Sequence, residues 1–241
     1  MFKKIVGFGD SWMYGDELLD PEYKSKNPSA HPTDIENAPY REKNCFLGLL
    51  GEHYGVPTEN FGIPGGSLQS ALWTFLWWYE NESQFDISDC LVLVGHTDSD
   101  RSSFYNPDHV ICEDDPPWNR FVHTSWVEYG FMGISREMRE MAKMFMVLTD
   151  SPELRKLNYM HSVLFFDGVA SSHDLQLLQF NIMPPEKKMN IDSVIWQGED
   201  TVTWFRDHPA NQKRELIKPN GHPNEIGHEM IKNRLILSIE N

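Results

Sequence analysis

The chain has 241 residues, 40% hydrophobic and 12% aromatic, a content that supports one large α/β domain and excludes disorder along the whole length. Its 36 acids against 21 bases give a net charge of -15, and no run of Lys or Arg offers a local exception. That field repels phosphate backbones and anionic membranes, so nucleic acid is excluded as a partner class and a neutral small-molecule or carbohydrate substrate stays open. Cys45, Cys90 and Cys112 are odd in number and far apart, which fits neither a disulfide framework nor a C-x-x-C metal knuckle. The apolar run after Met1-Phe2-Lys3-Lys4 is too short for a signal segment, and no stretch approaches the ~18 apolar residues of a membrane span. The expectation is a soluble chain made in a reducing cytoplasm, without membrane insertion.

In chain order, Lys4 to Phe8 reads as a first strand that runs into Gly9-Asp10-Ser11. Gly7-Phe8-Gly9 begins a G-x-G-x-x-G pattern, but Trp12 stands where the third glycine lets a helix pack on its strand, so a dinucleotide site is set aside. Residues 20–44 are polar and proline-rich and read as a long loop. Asn44 is expected to cap a helix through His53 that Gly55 stops, followed by a strand over Val56 to Phe61. Ser67 reads as the cap of the next helix, where Leu68, Ala71, Leu72, Phe75, Leu76 and Tyr79 keep a 3.6-residue period. Trp73, Trp77 and Trp78 widen that stripe, as a helix buried on two sides or an aromatic platform would require.

Cys90 to Gly95 is a continuous apolar run, the pattern of a parallel strand buried on both faces. Residues 99–133 read as an insertion, and Ile134 to Leu148 as an amphipathic helix with Met138, Met141, Ala142, Phe145 and Leu148 inward. The run at 162–168, SVLFFDG, is expected to be another buried strand, 169–213 to be irregular, and Ser193 to Trp196 to hold a further short strand. Asn224 caps the last helix, with Ile226, Met230, Ile231, Leu235 and Leu237 as its apolar residues. Strands alternating with helices imply a mostly parallel sheet covered on both faces, in one domain over 1–241. Ligands in such sheets bind beyond the carboxyl ends of the strands.

Four polar clusters fall at that edge: Gly9-Asp10-Ser11, Asn60-x-Gly62-x-x-Gly65, Gly95-x-x-Asp98, and His222-Pro223-Asn224-x-x-Gly227-His228. In this order they resemble the four blocks of the SGNH (GDSL-type) hydrolases, from residue 5 to residue 231. The resemblance implies a serine hydrolase on a three-layer, flavodoxin-like α/β fold, acting on acyl esters of lipids, small alcohols or sugars without a cofactor. Carried over by position, Ser11 is the nucleophile, His222 the general base, and the N–H groups of Ser11 and Gly65 two oxyanion donors. A serine hydroxyl needs a neutral imidazole to take its proton, and a tetrahedral oxyanion needs fixed donors.

The chain departs from the family pattern twice. Thr97 stands where the family carries an Asn oxyanion donor and is expected to be a weaker third donor of that hole through its hydroxyl, and Pro219 stands where the family carries the carboxylate that orients the histidine. Asn220, Asp207 and Asp200 are candidate orienters, as is a backbone carbonyl, and the expectation is a Ser–His dyad or incomplete triad. Each residue also has a plainer reading: Ser11 as a helix cap, His222 as a surface-loop histidine, His228 as a structural residue, and Gly65 with Gly66 as turn formers. Asp10 and Asp98 with His222 and His228 match no zinc spacing. The rival function is an SGNH-fold binding or structural protein that has lost turnover. A phage-particle enzyme acting on host surface sugars is a further reading, resting on the similarity of GHTDSDRSSF to divergent phage relatives that carry Thr in place of Asn.

Overall fold

Strand β1 (Lys4–Gly9) is buried along its whole length, and its alternate side chains serve two different cores. Ile5 joins one cluster, while Val6 and Phe8 join the other. The same alternation holds in β3 (Cys90–His96), with Leu91 and Leu93 on the first face and Val92 and Val94 on the second. A period of two with both sets apolar is what a strand covered on both faces requires. The structure is a computed structural model describing residues 2–81, 87–105, 121–124, 136–149, 151–185, 187–209, 216–218 and 221–241.

The main sheet has the order β2-β1-β3-β6, with β2 at Thr58–Gly62 and β6 at Gln176–Asn181, and every pairing is parallel. Its first face is covered by the helices α4 (Phe46–Tyr54) and α9 (Glu225–Glu240), through Phe46, Leu47, Leu50, Ile231 and Leu235. The second is covered by α5 (Leu68–Asn81) and α7 (Pro152–His173), through Ala71, Phe75, Trp78, Phe166 and Ala170. The result is the expected three-layer α/β arrangement. Phe8 alone meets Phe61, Phe75 and Trp78 ring to ring, and burying an aromatic of that size contributes about 1.5–3 kcal/mol.

Several elements differ from the sequence expectation. Residues 162–168 lie inside α7 and form no strand. Tyr159, Ser162, Val163, Phe166 and Ala170 recur every three or four residues along its buried side, a helical period that a seven-residue apolar window hides. The fourth sheet strand is instead β6, inside the stretch read as irregular, because its buried Gln179 and Asn181 give it a polar appearance. Near Val194 a single parallel bridge to Gln179 replaces a strand.

Residues 20–44 carry α2 (Pro21–Lys26), a 3-10 turn (Ile35–Asn37) and α3 (Ala38–Asn44), so Asn44 closes one helix and Cys45 caps the next. Two short strands of the insertion, β4 (Ser103–Tyr105) and β5 (Phe121–His123), pair antiparallel. In α6 (Arg136–Thr149) Ala142 is buried, but Met141 and Phe145 are exposed rather than inward. In α5, Trp78 is fully buried and Trp73 is more than half exposed, so the helix is not enclosed all round. Ile226 and Leu237 of α9 are also exposed. Cys45 and Cys90 are buried thiols outside any disulfide, and Cys112 lies outside the described residues. Among the described residues no helix is long and apolar enough to cross a membrane.

Candidate active site

Asp10, at the end of β1, is extended and caps α1 (Ser11–Tyr14), its Oδ1 accepting from the Trp12 N–H at 2.9 Å. Ser11 is therefore the first helical residue, where the N–H has no intrahelical acceptor, and it sits beyond the carboxyl end of a central strand. The short helix is held against β2 from below. Asn60 donates from Nδ2 to the Met13 carbonyl at 2.8 Å and accepts the Gly62 N–H at 3.0 Å. A Cβ on Gly62 would stand 2.3 Å from the Tyr14 nitrogen, so this approach needs a glycine. After β2, Pro64 and the positive-φ Gly65 (φ 72) form a tight turn closed by the Gly66 N–H on the Ile63 carbonyl at 2.8 Å.

His222 comes from the other end of the chain. Its loop is closed by the Lys218 N–H on the His222 carbonyl (2.8 Å), the Gly221 N–H on the Lys218 carbonyl (2.9 Å) and the Asn224 N–H on the Leu216 carbonyl (3.0 Å). Asn224 then caps α9 through the Gly227 N–H at 2.9 Å. Gly227 has no room for a side chain, since its Cβ would lie 2.6 Å from the Leu216 oxygen.

These two segments, 211 positions apart, meet with His222 Nε2 at 2.8 Å from Ser11 Oγ. The distance is one at which an imidazole can take a hydroxyl proton. Ser11 is buried to 5% exposure, and the His222 side chain keeps 20%. His222 Nδ1 is buried and has no hydrogen-bond partner among the described residues. Asp16 lies on the Nε2 side, its Oδ2 at 4.0 Å. Burial raises the Asp16 carboxyl above its ordinary pKa, and the His222 ring beside it acts in the opposite direction.

The other candidates are placed as follows. Thr97 is buried and gives its hydroxyl proton to Asp10 Oδ2 at 2.6 Å. Arg101 Nη1 reaches both groups, 3.0 Å from Thr97 Oγ1 and 3.2 Å from Asp10 Oδ2, so Asp10 has a donor on each oxygen. Asp207 ends α8 (Thr201–Asp207), two-thirds exposed and paired with Arg206 rather than with His222. Asp200 caps the same helix through the Thr203 N–H at 2.7 Å. Asn220 and Pro219 lie outside the described residues. His228 is fully buried and accepts the Phe46 N–H at 3.2 Å, and burial pushes its pKa down to about 3. Among the described residues no group of three His, Cys, Asp or Glu side chains could hold a metal ion.

Arg101 and Asp16 were not legible in the sequence. Arg101 stands in a polar segment without period, and Asp16 is one of two adjacent acids after a turn glycine. The nearest available signal was Gly15, whose left-handed φ of 80 turns the chain back toward Ser11.

No protein-family model matches the sequence, and no curated protein matches it. Among solved structures, the chain is similar to a lipolytic protein of the G-D-S-L family from Desulfitobacterium hafniense. The identity there is 10%, with 98% of this chain and 99% of that one covered and a TM-score of 0.38. It is also similar to a carbohydrate esterase whose active site displays divergent catalytic and non-catalytic binding functions, at 13% identity over 99% of this chain and 64% of that one, with a TM-score of 0.43. A lipase/acylhydrolase from Enterococcus faecalis is 14% identical over 99% and 95% of the two chains, with a TM-score of 0.36. All three TM-scores lie below 0.5.

Proposed function

We propose that the chain is a serine ester hydrolase working through a Ser11–His222 dyad on small acyl esters, carbohydrate O-acetyl groups among them. The observation that carries this reading is the 2.8 Å contact between Ser11 Oγ and His222 Nε2 at the carboxyl edge of a parallel sheet. Ser11 Oγ attacks the acyl carbon while its proton passes to Nε2, and Nδ1 keeps the other ring proton. The oxyanion is held by the N–H groups of Ser11 and Gly65. The alcohol then leaves with the Nε2 proton, and a water activated by the same imidazole releases the acid and restores Ser11.

Thr97 has no part in the oxyanion hole of this reading, because its single proton is directed at Asp10. A neutral ester suits a chain of net charge -15 better than an anionic one. The test is hydrolysis of p-nitrophenyl acetate by the wild type and by Ser11→Ala, in buffer with EDTA. Turnover that survives EDTA and falls at least about 10³-fold in the variant is the expected result. Undiminished turnover in folded Ser11→Ala contradicts it.

A further inference from the structure

We propose that Asp16 is a positioning residue of this site, whose carboxylate stabilises the imidazolium that His222 becomes on taking the Ser11 proton. The inference rests on the Ser11–His222 reading above and supplies the acid that reading lacks. His222 Nδ1, the atom an orienting carboxylate would ordinarily meet, is buried without a partner among the described residues. The opposite edge of the ring is different: Nε2 faces Ser11 Oγ at 2.8 Å and Asp16 Oδ2 at 4.0 Å.

The backbone that delivers Asp16 is held in an unusual shape. Gly15 has φ 80 and Glu17 has φ 76, a left-handed conformation that a non-glycine residue keeps only where its surroundings impose it. Those surroundings come from three parts of the chain. The Asp16 N–H bonds the Ser11 carbonyl at 3.0 Å and the Leu18 N–H bonds the Gly15 carbonyl at 3.2 Å. Asn37, from the 20–44 segment, donates to the Leu18 carbonyl at 2.8 Å. Lys218, from the His222 loop itself, donates to the Glu17 carbonyl at 2.8 Å. The acid and the base are thus tied to one another through main-chain acceptors. The second carboxylate oxygen, Oδ1, accepts the Glu17 N–H at 3.2 Å, which fixes the side chain's direction.

The chemistry follows from the placement. Once the proton has moved, Nε2–H is positive and lies close to a carboxylate, with both side chains at or below 20% exposure, so solvent screens the pair weakly. The groups that act on Asp16 are His222, Glu17 and His31, and Tyr14 feels its charge in turn. After burial, His222 and Lys218 both act on His228 and lower its pKa further. Glu17 opposes a charge on Asp16, whereas His222 and His31 favour it.

The experiment follows the His222 ring signal by NMR through a pH titration of the full-length wild type and Asp16→Asn, alongside the pH profile of kcat/KM. Asparagine keeps the Glu17 hydrogen bond and removes the charge. Without the carboxylate the imidazolium gives up its proton more readily, so the expected midpoint moves to lower pH by about one unit, a tenfold change in proton affinity. The acid limb of kcat/KM moves with it, kcat falls about tenfold or more while KM stays within about threefold, and Asp16→Glu restores part of each change. An unchanged midpoint in folded Asp16→Asn overturns the proposal. Should that variant not fold, the wild-type His222 signal decides: a second inflection where Asp16 titrates supports the pairing, and a single inflection overturns it. A wild type that hydrolyses no ester yet shows the midpoint shift supports the pairing and removes only the hydrolase reading.

Discussion

Thr97 has one hydroxyl proton, and its destination separates two roles that look identical in the sequence. Given to Asp10, that proton helps satisfy a fully buried carboxylate directly beside Ser11, together with the Trp12 N–H and Arg101. Replacing Thr97 with Val keeps the shape and deletes the donor. The expected cost is about 1–3 kcal/mol of folding stability, because a buried charged acceptor loses a partner. Urea denaturation of Thr97→Val checks it, and a variant as stable as the wild type would show that the hydroxyl points elsewhere.

Two buried histidines set a second expectation at the same scale. Burial lowers His228 to about 3 and His96, which meets Gln179 at 2.8 Å, to about 4, from an ordinary value of 6.5. Between those values and 6.5 the unfolded chain binds protons that the folded chain refuses. Stability is therefore fully present above about pH 6.5 and is lost as pH falls, by up to about 1.4 kcal/mol per pH unit for each histidine. Urea midpoints at pH 7, 6 and 5 should decline in order, and equal midpoints would mean that the two rings are not buried neutral.

At the scale of elements, the legible parts of the chain were those whose pattern has one interpretation. Cys90 to Gly95 reads as a buried strand and is one, and Asn224 caps the last helix as its position before an apolar period suggests. The unreadable parts are those in which tertiary partners replace a local signal. Gln179 is buried in β6 only because His96, Ser193 and the Val163 carbonyl satisfy its amide, and no local rule announces those partners. Val163 to Phe166 is apolar on every side over four residues, and only the longer run from Tyr159 to Ala170 shows the helix.

Glycines test the packing of these elements directly. Gly62→Ala places a methyl against the Tyr14 nitrogen, where backbone must move, and should cost about 1–3 kcal/mol and shift α1 with Ser11. Gly168, inside α7 with nothing within 4 Å of its would-be Cβ, should gain about 0.5–1 kcal/mol on conversion to Ala. Thermal denaturation of the pair reads both signs, and a stabilised Gly62→Ala would contradict the close approach of α1 to β2.

On the scale of the whole molecule, the sheet is the device that turns sequence order into a site. The strand β1 ends at Gly9 and leads through Asp10 into Ser11, the loop before α9 returns His222 to the same edge, and the 20–44 segment braces the turn between them through Asn37. Arg41, buried in that segment, lies over the Tyr14 ring at 4.0 Å and bonds the Pro32 carbonyl, which fastens the segment to the end of α1. Ser11 and His222 could be expected at one edge beforehand because each stands in a polar cluster at an element boundary, while the roles expected of them came from the family resemblance alone. Asp16 and Arg101 could not, because their placement depends on how the loops pack and not on any spacing.

The proposed dyad makes Ser11 an activated nucleophile. Treating the wild type and His222→Ala with a fluorophosphonate and mapping the modified residue by mass spectrometry tests it most directly, since the reagent traps a hydroxyl whose proton a neighbouring base removes. Modification is expected at Ser11 in the wild type, slowed by at least about 10²-fold in His222→Ala. An unmodified Ser11, or a rate indifferent to His222, would contradict it.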